Sequence, residues 1–139
     1  FCSKMNYQPV LFSAVDKNNN QIYHTNVMMA VGLQVAVVCL DSIKDEDEQK
    51  KVISQLTSTG KIIVDISLDQ VSQFAGNMLE VKSRNGNPLM VMSTSAYNAL
   101  TTSQENIIST YNKIITSDLY TIEKIGGGSA RCMIAEIFY

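Results

Sequence analysis

Ala75-Gly76-Asn77-Met78-Leu79-Glu80 is the middle member of three similar openings in this chain. Upstream stands His24-Thr25-Asn26-Val27-Met28-Met29, and downstream stands Ala130-Arg131-Cys132-Met133-Ile134-Ala135. In register, Asn26, Asn77 and Cys132 share one position, 51 and 55 residues apart. Each time a small polar residue or a thiol precedes an apolar run by the same count. Similarity at such a spacing marks a repeated supersecondary unit, and the segments between the openings say which one.

Around Asn26, residues 21–31 are extended in character, Gly32 turns the chain, and 34–40 resume as a second strand, which is a hairpin pattern. Asp41 or Ser42 is then placed to cap a helix. Its first turns hold Asp45, Glu46, Asp47 and Glu48, and Val52, Ile53 and Leu56 share one face. Gly60 stops it and 61–67 return as a strand. After Asn77 the order recurs. Residues 76–82 are extended, Arg84-Asn85-Gly86-Asn87-Pro88 is a turn and 89–94 form a strand. A helix starts at Thr102, with Thr102 and Glu105 as a capping box and Ile107, Ile108 and Tyr111 as its stripe. Residues 113–117 are again a strand. Gly126-Gly127-Gly128 opens into a predicted extended segment over 130–138. Ahead of all this, 9–15 read as a strand and Asp16-Lys17-Asn18-Asn19-Asn20 as a turn. The fold class is α/β, made of repeated ββαβ-like units over about 21–73 and 74–125, with a third begun at 126–139.

Composition narrows the function. The 139 residues suit one domain, and 45% hydrophobic against 17% charged excludes disorder. Eleven basic and thirteen acidic residues leave −2, which lacks the electrostatic footprint of a nucleic-acid binder. The apolar run from Val27 to Leu40 is broken by Gly32 and Gln34 and is too short to span a bilayer, so no membrane partner is expected. Three cysteines, Cys2, Cys39 and Cys132, without a CxxC pair point to a reducing, cytoplasmic compartment. The single histidine, His24, excludes a multi-histidine zinc site, and no cofactor is expected. Gly126-Gly127-Gly128-Ser129-Ala130 lacks the Gly-Lys-Ser/Thr ending of a phosphate loop.

If the units pack with rotational pseudo-symmetry, Asn26, Asn77 and Cys132 converge on the axis. His24, two residues before Asn26, then shares its strand face and is expected to meet Cys132. A lone cysteine in a strand is commonly a small buried hydrophobe, and a lone histidine commonly a strand-end polar residue. The glycine triplet and the repeat register favour a nucleophile in Cys132 and a proton-transfer group in His24. A thiolate is a good nucleophile without needing a strong base. An imidazole can hold a thiolate as an ion pair and give or take a proton as the reaction proceeds. Gly127 and Gly128 let backbone groups approach a substrate closely. Arg131 can meet a substrate carboxylate or anchor the glycine loop, and Asn77 reads equally as a turn residue. Cys39 and the seven methionines read as core, and Asp65 as a strand-edge residue.

The segments Tyr23–Gly32, Phe74–Val81 and Ile125–Phe138 (YHTNVMMAVG, FAGNMLEV and IGGGSARCMIAEIF) resemble the C-terminal half of the guanidine-modifying superfamily. It holds arginine deiminase, dimethylarginine dimethylaminohydrolase and glycine amidinotransferase. The closest likeness is to bacterial amidinotransferase-like citrulline-utilization hydrolases, over Tyr23 to Phe138. The resemblance implies a pentein-type α/β propeller and a cysteine-dependent hydrolase or amidinotransferase acting on a guanidino or ureido compound. Cys132 matches the family's nucleophile and His24 its acid/base histidine. Asn77 lies in a strand that lines the substrate channel, and Gly127 and Gly128 match the glycines ahead of the nucleophile. Asn26 stands where deiminases carry an aspartate that grips the guanidinium, so here that position is neutral. The carboxylates of the family site come from the N-terminal half. The chain, beginning at Phe1 without a signal sequence, is therefore expected to be a C-terminal piece. It would be weakly active alone and would pair with the missing half or with itself through apolar blade faces. The alternative is a non-catalytic propeller relative that binds a partner; the ribosome anti-association type lacks both the cysteine and the histidine.

Overall fold

The computed structural model describes residues 1–135 and 137. Two separate three-stranded sheets organise them, and they share one topology. In the first, β1 (Met29–Val31) runs antiparallel to β2 (Val35–Val38), and β2 runs parallel to β3 (Ile62–Asp65). In the second, β4 (Leu79–Lys82) is antiparallel to β5 (Pro88–Ser93), which is parallel to β6 (Lys113–Ser117). The parallel pairing needs a crossover. Helix α2 (Glu46–Ser58) supplies it in the first unit, and α4 (Thr94–Ala99) with α5 (Thr102–Tyr111) in the second. The short helices α1 (Cys2–Met5), α3 (Leu68–Ser72) and α6 (Tyr120–Gly126) complete the set. The fold is mixed α/β with small sheets, and among the described residues the sheets stay open and separate. No helix among these residues is long and apolar enough to cross a membrane.

One continuous apolar core runs through both units. Every residue of β2 is buried, because the central strand is covered on both faces. Met28, Met78, Met90 and Met92 are fully buried and fill the core, while Met5 and Met133 are exposed, against the expectation that the methionines are core. Each such buried side chain contributes roughly 1.5–3 kcal/mol over leaving it in water. Cys39 is also fully buried, and that burial pushes its thiol above the ordinary range.

The two units are stitched by their caps. Ser67 caps α3 in a box with Gln70, and Thr101 caps α5 in a box with Gln104. The two glutamine amides pair reciprocally, at 2.6 and 3.1 Å. Gln104 Nε2 also donates to the Asp65 carbonyl at the end of β3 (2.6 Å), and Gln70 Nε2 to the Ala99 carbonyl (2.7 Å).

Several sequence expectations are corrected here. Residues 9–15 form no strand; only the bridge Val15–Gln21 closes the Asp16–Asn20 loop, and the Ser13 amide donates to Glu48 Oε2 (2.7 Å) instead of to a neighbouring strand. The cap of α2 is Asp45, whose carboxylate accepts from the Asp47 and Glu48 amides, rather than Asp41 or Ser42. The capping box of α5 lies one residue earlier than Thr102–Glu105. Gln104 can donate across to Asp65 and Gln70, which a glutamate cannot, and Glu105 accepts from the Tyr97 hydroxyl instead (2.7 Å). Thr25–Val27 and Ala130–Met133 are single 3-10 turns, not extended chain. Of the predicted strand over 130–138, positions 136 and 138 lie outside the described residues.

Candidate functional site

The site begins with a sharp turn between α3 and β4. Phe74 sits at φ 65, an uncommon left-handed conformation for an aromatic residue that costs of order 1–3 kcal/mol. Its carbonyl accepts the Asn77 amide at 2.8 Å. Gly76 follows against the backbone of the first unit. A Cβ there would overlap the Val27 carbonyl oxygen and stand 2.8 Å from Met28 Cα, so only glycine permits the approach. The approach delivers Asn77, 2% exposed, beneath the 3-10 turn at Thr25–Val27.

Asn77 uses both ends of its amide. Its Nδ2 donates to the Asn26 carbonyl (2.9 Å) and to Cys132 Sγ (3.2 Å). Its Oδ1 accepts the Arg131 amide (3.1 Å). Three residues that share a repeat position, Asn26, Asn77 and Cys132, are thereby joined by one buried side chain. The means differs from the strand-face argument, since two of the three positions lie in 3-10 turns and Asn77 in the turn ahead of β4. His24 is exposed and immediately precedes the first turn, its carbonyl accepting the Val27 amide at 3.0 Å. Asn77 thus ties the segment carrying His24 to the cysteine. Among the described residues the imidazole itself makes no hydrogen bond and no ion pair.

Cys132 is exposed and unpaired. It stands on the 3-10 turn Ala130–Met133, reached from α6 through the glycines. Gly127 takes φ 68 as the residue past the helix end, its amide bonding the Glu123 carbonyl (3.3 Å). Gly128 passes close to the thiol: a Cβ there would lie 3.2 Å from Cys132 Cβ and 3.4 Å from Sγ. The Cys132 amide donates to the Ser129 carbonyl (3.0 Å). Arg131 engages Asn77 through its backbone, so it is this amide that anchors the loop.

Two residues stand behind the loop: Ser129, readable in the sequence only as a loop residue, and Glu123, not singled out there. Ser129 is fully buried and Glu123, on α6, is 7% exposed; the Ser129 hydroxyl donates to Glu123 Oε1 at 2.6 Å. A helix over 120–126 was legible in Ile122 and Ile125 three apart with glycine just past its end. Asp65 is exposed and accepts the Leu40 amide (3.1 Å), outside the site. A groove of about 1110 Å³ follows β6 and α5, and none of its lining residues belongs to the site. The chemistry of the side chains, not concavity, marks Cys132. Among the described residues no group of three or more histidine, cysteine, aspartate or glutamate side chains could hold a metal ion.

An exposed sulfur that accepts a hydrogen bond from a buried amide can carry its lone pairs toward a solvent-borne electrophile. No curated protein matches the chain in sequence. Among solved structures it is similar to ArgZ, an arginine dihydrolase from the ornithine-ammonia cycle in Cyanobacteria, in its apo form. The TM-score is 0.66 at 16% identity, covering 94% of this chain and 19% of that one. The likeness is one of fold, and the chain spans about a fifth of that protein's length. A family model described as N,N dimethylarginine dimethylhydrolase, eukaryotic, matches residues 1–139, and the chain belongs to that family, within the guanidine-modifying superfamily.

Proposed function

We propose that the parent protein is a cysteine-dependent hydrolase or amidinotransferase acting on a C–N bond of a guanidino or ureido compound such as arginine or a methylated derivative. The observation that carries this reading is the exposed Cys132 thiol, held by the Asn77 amide behind a glycine loop. Family membership and the ArgZ likeness support it.

In this reading the Cys132 thiolate attacks the central guanidinium carbon and an S–C bond forms. The tetrahedral adduct collapses with loss of an amine, which takes its proton from the His24 imidazolium. Water then gives a proton to His24 and adds to the thiouronium carbon. The C–S bond breaks and the thiolate returns, leaving a ureido product; an amine in place of water would make the reaction a transfer. The Asn77 amide stabilises the charged sulfur by hydrogen bonding. Asn26, Gly127, Gly128 and Arg131 line the substrate. The carboxylates that orient His24 and grip the cation come from outside these 139 residues.

The test is the full-length protein carrying Cys132→Ser, assayed on arginine, methylated arginines and citrulline. Turnover should fall by about a thousandfold or more, as loss of a nucleophile does elsewhere. Turnover that survives the substitution on every substrate would refute the enzyme reading and favour a non-catalytic relative that binds a partner.

A further inference from the structure

Glu123 is a carboxylate placed where an apolar residue would serve packing better. It is buried on a short helix, and its Oε1 accepts a hydrogen bond from the fully buried Ser129 hydroxyl. Ser129 is the hinge of the cysteine loop. It precedes the 3-10 turn in an extended conformation, φ −136 and ψ −154, directly after two glycines, one of them left-handed. Its carbonyl accepts the Cys132 amide. Glycines supply freedom but no rigidity, so a loop of this composition holds one geometry only if something fixes the residue that follows it. A hydrogen bond to a carboxylate is among the stronger ones available, and burial strengthens it.

We propose that Glu123 is a positioning residue for the cysteine, acting through Ser129 to hold Cys132 Sγ within reach of the Asn77 amide. The inference rests on the reading of Cys132 as the nucleophile. The chain of contacts runs from the Glu123 carboxylate to the Ser129 hydroxyl, from the Ser129 carbonyl to the Cys132 amide, and from Cys132 Sγ to Asn77 Nδ2. Release of Ser129 lets the turn rotate about Gly127 and Gly128. Gly128 already lies close enough to Cys132 that the rotation displaces the sulfur. A displacement of about 1 Å at a reacting atom costs on the order of a hundredfold in rate. Asn77 also loses its hold on the sulfur.

The experiment alkylates Cys132 in the full-length protein with 2-chloroacetamidine, a guanidinium-like probe that loses chloride as the S–C bond forms. Rates are followed from pH 5 to 10, with Cys2 and Cys39 as internal references. Glu123→Ala and Ser129→Ala should slow labelling of Cys132 by about tenfold to a hundredfold, and Asn77→Ala should slow it likewise. Glu123→Gln, which keeps an oxygen to accept the hydroxyl, should restore most of the rate. Asn77→Ala combined with Ser129→Ala should lose little beyond either alone, because both act on the same contact. If Glu123→Ala unfolds the protein, Ser129→Ala and the double variant carry the same test. A folded Ser129→Ala or Glu123→Ala protein with the wild-type labelling rate overturns the inference alone. A wild-type Cys132 that reacts no faster than Cys2 overturns the nucleophile reading, and this inference with it.

Discussion

Asn77 decides the local geometry of the site, and Gly76 makes its position possible. A side-chain amide gives two protons from one end and accepts at the other, so Asn77 holds three partners, where a hydroxyl has one proton to give and a carboxylate has none. The register of the three openings singles out Asn26, Asn77 and Cys132 in the sequence. Their junction through Asn77 was not legible there, because it depends on the left-handed Phe74 and on backbone contact at Gly76. Gly76→Ala should therefore do two things at once. Forcing a methyl against the Val27 carbonyl should cost about 1–3 kcal/mol, as overpacking does, seen as a lower urea midpoint. Withdrawal of Asn77 should also slow alkylation of Cys132. A variant as stable as wild type, with an unchanged thiol, would show that the close approach is dispensable.

At the scale of elements, hydrophobic period and cap chemistry made most of the regular structure readable. The strands β2, β3, β5 and β6 and the helices α2 and α5 fall within a few residues of their predicted spans. Short helices escaped, because α3, α4 and α6 have five to seven residues and no full apolar stripe. The strand predicted at 9–15 failed for want of a partner edge. The frame of the α5 box was open in the run Thr101-Thr102-Ser103-Gln104-Glu105, where two Thr-x-x-acceptor readings overlap. Contacts from the other unit chose between them. Gln104→Ala removes its link to Asp65, its pairing with Gln70 and its bond to the Thr101 amide. At roughly 0.5–1.5 kcal/mol each, the loss should be about 2–3 kcal/mol in a denaturant titration. A loss under about 0.5 kcal/mol, the scale of an ordinary surface change, would mean that the glutamine pair contributes nothing to joining the units.

For the whole molecule, the exposed apolar surface is the feature with a physical consequence. Ile115 and Tyr111 stand on the open side of β6 and α5, and Ile125 on α6 is 82% exposed. Exposed apolar side chains of this kind favour association. The 139-residue chain should sediment with a weight-average mass that rises with concentration. Ile125→Lys should reduce that rise if α6 takes part in the contact. A concentration-independent monomer would remove self-association from the proposed role.

The sequence alone determined the α/β class, the order of strand, strand, helix and strand, and the shared register of Asn26, Asn77 and Cys132. These follow from local periodicity, caps and internal similarity, all of which are written in neighbouring residues. Only the tertiary structure decided that two of those positions lie in 3-10 turns, that Asn77 joins them, and that Glu123 and Ser129 stand behind the cysteine. Each of these depends on backbone meeting backbone, or on buried polar groups finding partners, across dozens of residues. Such contacts arise only once the two units have packed and water has been excluded from between them.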